Sequence, residues 1–177
     1  MVRCTCIVCR TIERYLTSTI QVLTIEIPGR GNYDLRHLVL DVNGTIACDG
    51  EVIAGVTSRL TELTRQVEVH LITADTRGRQ AAIDAQLRLQ AVRISSKNER
   101  LQKAAFVERL GSSYVCAIGN GANDADMLRV ARLSIAVIGG EGLAVETLST
   151  ADVVVSHINA ALDLLLFPMR LVATLRR

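Results

Sequence analysis

The sequence predicts a three-layer α/β fold with a mainly parallel sheet. Short apolar runs alternate with stretches of helical spacing along most of the 177 residues. The apolar content is dominated by Val, Ile, Leu and Ala, with three Tyr, two Phe and no Trp. Strands separated by single helices imply right-handed crossovers, and strands covered on both faces read as continuous apolar runs. One domain with a short appendage fits this length.

The elements follow in order. Residues 1–20 do not share the later rhythm and read as an N-terminal extension, so the folded domain is expected over 21–177. Residues 21–27 alternate as a strand does, and Pro28-Gly29-Arg30-Gly31 breaks the run with turn residues. His37-Leu38-Val39-Leu40-Asp41 is a short apolar run ending in a carboxylate. A Gly-containing loop follows, then helical spacing over 53–65. Strand and helix then alternate: strand 67–73, helix 77–87, strand 89–94, helix 98–110 stopped by Gly111, and strand 114–118. The same alternation gives helix 123–131, strand 134–138, helix 142–148, strand 152–155 and helix 158–166, with Pro168 opening a last helical turn or two. The stretch lacks internal repeats and any linker to a second domain.

Composition excludes several function classes. Apolar residues make up 49% and charged residues 21%, which excludes wholesale disorder. A net charge of +2 lacks the basic surplus that neutralises phosphates, and the few aromatics provide no base-stacking platform, so no nucleic-acid partner is expected. No apolar run reaches the roughly 18 residues of a membrane helix. The start of the chain also lacks a secretory-signal pattern. Cys48 and Cys116, in the body of the chain, read as thiols of a reducing, cytoplasmic context. Cys4, Cys6 and Cys9 form a C-x-C-x-x-C that would hold a soft metal only with a fourth ligand from elsewhere; otherwise they are incidental thiols.

In a parallel sheet, ligands bind beyond the carboxyl ends of the strands. Three polar groups converge there. Asp41-Val42-Asn43-Gly44-Thr45 places a carboxylate at a strand end, followed by a glycine that lets the backbone turn away. Such a carboxylate serves as a nucleophile toward phosphorus or a hard-oxygen ligand for Mg²⁺, and equally as a plain loop carboxylate. Thr73-Ala74-Asp75-Thr76 offers a hydroxyl and helix-start N–H groups, a phosphate cradle or an ordinary helix cap. The run Gly119-Asn120-Gly121-Ala122-Asn123-Asp124 crowds amides and a carboxylate between two glycines, more than a structural loop needs. Lys103, on the helix before the fourth core strand, is the candidate cation, with Lys97 as its competitor.

These four pieces, in this order, resemble the haloacid-dehalogenase-like (HAD) superfamily over residues 23–177. Within it they are most similar to the phosphorylation domain of P-type ATPases, where Asp-x-x-Gly-Thr, Thr-Gly-Asp and Gly-Asp-Gly-x-Asn-Asp recur. The counterparts here are DVNGT, TAD and GNGAND. The stretch between Asn43 and Thr73 is too short for a nucleotide-binding insert or large cap, so the resemblance implies a cap-less, soluble P-type-ATPase-like protein with a Rossmannoid core.

The resemblance also implies roles. Asp41 becomes the nucleophile and takes up the phosphoryl group; Thr73, with Ala74, holds the phosphoryl oxygens; Lys103 neutralises nucleophile and phosphate. Asp41, the Asn43 carbonyl, Asn120 and Asp124 would bind Mg²⁺, with Gly44, Thr45, Asp75, Gly121 and Asn123 in support. Two positions depart from the family pattern. HAD phosphatases carry a second Asp two residues after the nucleophile, as general acid and base, where this chain has Asn43. The family's metal-ligating Asp is replaced by Asn120. Two functions stay open: a weak Mg²⁺-dependent phosphohydrolase or phosphotransferase, or a catalytically impaired module that binds a phosphate-containing ligand or partner protein. Without a cap, a small phosphorylated substrate would meet an open site, which a second copy of the chain in a homo-oligomer could cover.

Overall fold

Six strands hydrogen-bond into a single parallel sheet in the computed structural model, which describes residues 22–75 and 78–177. The expected extension, with Cys4, Cys6 and Cys9, lies outside the described residues, as do Thr76 and Arg77. The sheet strands are β3 (His37–Asp41), β6 (Glu68–Thr73), β7 (Val92–Arg93), β8 (Val115–Gly119), β9 (Leu133–Val137) and β10 (Val153–Val155). Their order is β10-β9-β8-β3-β6-β7, which puts β3 and β8 in the middle. Both are apolar on both faces, as central parallel strands must be.

The expectation of a doubly covered sheet is met. Alternate residues of β3 point to opposite layers. Leu38 and Leu40 join the larger core cluster, while Val39 joins the smaller. The larger layer is built by α1 (Val56–Leu63), α2 (Gln80–Leu87), α6 (Ile158–Leu166) and α7 (Pro168–Leu175). On the other face lie α3 (Glu99–Leu110) and α4 (Ala125–Val130), with Val107, Met127 and Leu128 against Val39 and Ala117. A short α5 (Val145–Leu148) lies between β9 and β10.

Three details differ from the expected elements. The strand expected over 21–27 does not enter the parallel sheet. It forms β1 (Leu23–Ile27) and pairs antiparallel with β2 (Gly31–Leu35), from Leu23 opposite Leu35 to Ile27 opposite Gly31. The turn at Pro28-Gly29-Arg30 reverses the chain, with Gly29 at φ 78°. Strict alternation of buried and exposed residues in β1 suits a hairpin covered on one side only. Arg132 clamps this hairpin, stacking 3.9 Å from the Tyr33 ring centroid and donating to the Asn32 carbonyl at 3.0 Å.

The second difference lies in the loop after Asp41, which contains a small hairpin of β4 (Ala47–Cys48) and β5 (Glu51–Val52). Its turn, Asp49-Gly50, has φ of 53° and 81°, the two left-handed residues that a primed two-residue turn requires. Only this hairpin intervenes between β3 and α1, and no cap domain is present among the described residues. Third, the expected strand 89–94 shrinks to the two paired residues of the edge strand β7, and the helix expected over 142–148 to α5. Among the described residues no single helix is long and apolar enough to cross a membrane; α6 and α7 pass that test only together, bent by 100°, with their apolar faces in the core.

Leu40, fully buried at the centre of the sheet, tests this packing. Leu40→Ala is expected to cost about 2–5 kcal/mol, seen as a lower urea midpoint at unchanged slope. A loss under about 1 kcal/mol would contradict a close-packed core at this position.

Candidate active site

Parallel register places the motif residues at one edge. Leu40 lies opposite both Leu71 and Ile118, so the strand ends Asp41, Thr73 and Asn120 emerge at nearly the same level. The fourth piece comes from the helical layer. Lys103 rises from α3 and is only 1% exposed, a burial that an ammonium tolerates only when paired. Its Nζ lies 2.6 Å from Asp41 Oδ1 and 2.6 Å from Asp124 Oδ1. Lys97, its competitor in the sequence, is exposed.

The loop after β3 wraps back over the carboxylate. The Val42 carbonyl accepts the N–H of Thr45, Ile46 and Ala47 at 3.3, 3.0 and 3.0 Å. Gly44 sits at φ 82°, and a Cβ there would lie 2.8 Å from Asn120 Nδ2. Glycine is required by conformation and by space. The Thr45 hydroxyl lies 3.2 Å from Asp41 Oδ2 and 2.9 Å from Asn120 Oδ1, a donor shared between the nucleophile candidate and the amide. The Asn43 amide donates to Thr73 Oγ1 at 3.3 Å, and the same Oγ1 accepts the Asp75 N–H at 3.1 Å.

The loop after β8 closes on Asp124. Its Oδ2 accepts the N–H of Asn120 and of Gly121, both at 2.9 Å, while Oδ1 takes the lysine. Both oxygens of Asp124 are therefore engaged in holding Lys103 and the turn. Two further supporting residues point away from the centre. Asn123 donates to Glu99 at 2.6 Å, tying this turn to the start of α3, and Asp75 accepts the Gln80 N–H at 3.2 Å at the start of α2.

Charge sets the chemistry of the cluster. Two carboxylates face one ammonium out of water, leaving an excess negative charge. Burial pushes Asp41 up from 3.8 to about 7, the charge of Asp124 adds to the rise, and Lys103 and the Thr45 hydroxyl oppose it. Burial alone would lower Lys103, but the Asp41 and Asp124 charges outweigh it and hold the ammonium above its ordinary range. The Asp41 carboxylate and the Asn120 amide oxygen meet at this edge over the Thr45 hydroxyl, and the resemblance adds the Asn43 carbonyl. They are the hard ligands that Mg²⁺ selects, and the excess negative charge favours a cation among them. These residues fit Mg²⁺.

Sequence reasoning missed the bracing shell. Arg100 donates to both oxygens of Asp126, at 2.5 and 2.9 Å, and to Glu146 at 3.0 Å, locking α3 to α4 and α5. Thr147 donates to the Gly121 carbonyl at 2.6 Å, and the Gly142 carbonyl accepts from the Asn120 amide at 3.2 Å. Gly139-Gly140-Glu141-Gly142 was findable, as a glycine-rich loop leaving the carboxyl end of a sheet strand.

No protein-family model matches the chain. A curated relative, an uncharacterised protein of Methanocaldococcus jannaschii, is 45% identical over 83 residues, which are 45% of this chain and 89% of the relative. The two belong to one family. Among solved structures, a Moraxella catarrhalis 3-deoxy-D-manno-octulosonate 8-phosphate phosphatase, in complex with magnesium, phosphate and KDO, superposes with TM-score 0.57 at 17% identity. That match covers 75% of this chain and 86% of the phosphatase. The cobalt-bound enzyme of the same name from Haemophilus influenzae gives TM-score 0.60 at 13% identity, over 75% of this chain and 87% of that one. The chain has a cap-less HAD-like fold. A zinc-transporting PIB-type ATPase in its E2·Pi state adds the P-type likeness, with TM-score 0.54 and 25% identity over 70% of this chain; only 20% of the pump is covered.

The Asp41 shift carries a stability consequence. Between about pH 4 and pH 7 the folded HAD-like core holds a proton on Asp41 that the unfolded chain has released. That contribution is complete below the unfolded value and is lost as pH rises through the folded one. Metal-free protein is therefore expected to lose urea stability from pH 5 to pH 8, and Asp41→Asn to flatten the slope. An unchanged slope in the variant would remove Asp41 as the source.

Proposed function

We infer that the chain is a Mg²⁺-dependent phosphohydrolase or phosphotransferase working through an aspartyl phosphate on Asp41. The observation that carries this reading is the buried Lys103 ammonium, 2.6 Å from Asp41 Oδ1. A carboxylate so held is fixed in position, and its cation offsets the repulsion between an anionic nucleophile and an anionic phosphate. An Asp41 oxygen forms a bond to phosphorus while the bond from phosphorus to the leaving oxygen breaks, and that oxygen departs with the electron pair. Thr73 Oγ1, with the backbone at Ala74, receives the phosphoryl oxygens, and Lys103 balances their charge. Water then attacks phosphorus, releasing phosphate and restoring the Asp41 carboxylate. Mg²⁺, when bound by Asp41, the Asn43 carbonyl and Asn120, supplies charge neutralisation and lowers the pKa of Asp41. Asp124 anchors the lysine and the turn.

Asn43 limits the rate. An amide takes up no proton, so neither the leaving oxygen nor the attacking water receives general acid–base help from this position. Small phosphorylated substrates with good leaving groups, which depart without protonation, are the expected class, since no cap selects among them. A second reading rests on the orientation of the same residue. The Asn43 amide donates to Thr73 Oγ1, which suits a module that holds a phosphate-bearing ligand without turning it over.

Acetyl phosphate with Mg²⁺ is expected to label Asp41, detected by mass spectrometry of the peptide after borohydride trapping, and Asp41→Asn to abolish label and turnover. Unchanged turnover of p-nitrophenyl phosphate in that variant would remove the nucleophile. Restoring the acid–base group with Asn43→Asp is expected to raise turnover by about 10²–10⁴-fold. No gain in a folded variant would favour the binding module.

A further inference from the structure

The opposite, amino end of the sheet carries a second cluster of chemically competent side chains. His37 opens β3, Glu68 opens β6 directly across from it, and His70 follows two residues later on the same face. The His37 Nδ1 atom lies 3.2 Å from Glu68 Oε2 and 3.2 Å from His70 Nε2, and His70 Nε2 lies 3.8 Å from Glu68 Oε2. A circle through these three atoms has a radius of about 2.0 Å, the length of a zinc–imidazole or zinc–carboxylate bond. Separations of 3.2–3.8 Å are also those of neighbouring ligand atoms around one ion, and all three side chains stand on one face of the sheet.

We propose that His37, Glu68 and His70 form a binding site for a divalent transition-metal ion of the zinc class. Two imidazole nitrogens with a single carboxylate select that class over Mg²⁺, which prefers oxygen ligands. The site is half built into the fold. The imidazole side chains are 18% and 14% exposed, and the Phe106 and His70 rings pack edge to face at a centroid distance of 5.5 Å. Glu68 is 67% exposed, so ions enter from solvent and a fourth coordination position stays open to water. The ion clips β3 to β6 at their amino ends, and the same two strands carry Asp41 and Thr73 at their carboxyl ends. Binding to the folded state alone raises stability by mass action.

The test uses the full-length chain with Cys4, Cys6 and Cys9 changed to Ser, so that no N-terminal thiol binds metal. Chelator-treated protein is titrated with Co²⁺ in excess Mg²⁺, which occupies the oxygen ligands at the Asp41 edge. The expected result is a saturable visible absorption at one Co²⁺ per chain, displaced by Zn²⁺, with a raised melting temperature. Glu68→Gln, at an exposed position that leaves the core intact, and His37→Gln each weaken Co²⁺ binding about tenfold or more, whereas Asp41→Asn leaves it unchanged. Absence of saturable binding in the parent, or an affinity in Glu68→Gln and His37→Gln equal to the parent's, overturns the proposal. So does a signal lost in Asp41→Asn and kept in Glu68→Gln.

Discussion

The molecule is organised around one buried ammonium. Stripping a lysine of water costs several kcal/mol unless it is paired, and Lys103 is paired twice, to Asp41 from β3 and to Asp124 from the turn after β8. Those two contacts fix the placement of α3 on its face of the sheet. The bracing bonds then follow: Asn123 to Glu99 at the start of the helix, and Arg100 to Asp126 and Glu146 beside it. None of these peripheral pairs, being partly exposed, contributes more than modestly to stability. Their effect is geometric, holding the helix so that the ammonium stays level with the strand ends.

A second constraint is the close approach of backbone around those charges. The last residue of β8 shows it. A Cβ on Gly119 would fall 2.5 Å from Asp124 Oδ2, so the turn accepts the Asp124 carboxylate only because position 119 has no side chain. That carboxylate caps two N–H groups of its own turn and grips Lys103 as well. Turn geometry and charge placement are therefore one feature, and a residue larger than glycine would disturb both together.

How much of this the sequence displays varies by element. β3 and α6 are legible to the residue, because a run buried on both faces and a capped helical stretch each carry strong periodic signals. The convergence of Asp41, Thr73 and Asn120 was also legible, since strand ends in a parallel sheet share one edge, whereas Lys103 stood only as a candidate beside Lys97 until α3 was placed. Of the hairpin β1–β2, the first strand and its turn were legible and β2 was not. Asn32 and Asp34 make Gly31–Leu35 read as loop, and only the partner strand shows that Tyr33 and Leu35 face the core. The bracing pairs were invisible for another reason: Glu99 with Asn123 and Arg100 with Asp126 are joined across helices, and no local spacing announces such contacts. His37 and His70 escaped notice likewise, lying 33 residues apart until the β3–β6 register aligns them.

The two asparagines acquire a physical meaning from this electrostatic frame. With carboxylates at positions 43 and 120, four acidic groups would crowd one lysine in a water-poor pocket. Like charges within a few ångströms repel strongly at low dielectric, so such a pocket is stable only with its cation bound. Amides at both positions remove that repulsion while keeping oxygen donors in place. Asn120 can then donate to the Gly142 carbonyl while it accepts the Thr45 hydroxyl, and Asn43 can donate to Thr73; an ionised carboxylate could make neither donation. The amides give the metal-free fold a connected hydrogen-bond network across β3, β6 and β8. The same amides bring no charge toward a cation and cannot take up a proton. The metal-free hydrogen-bond network and the lack of a titratable group at position 43 thus have a common cause in these two amides.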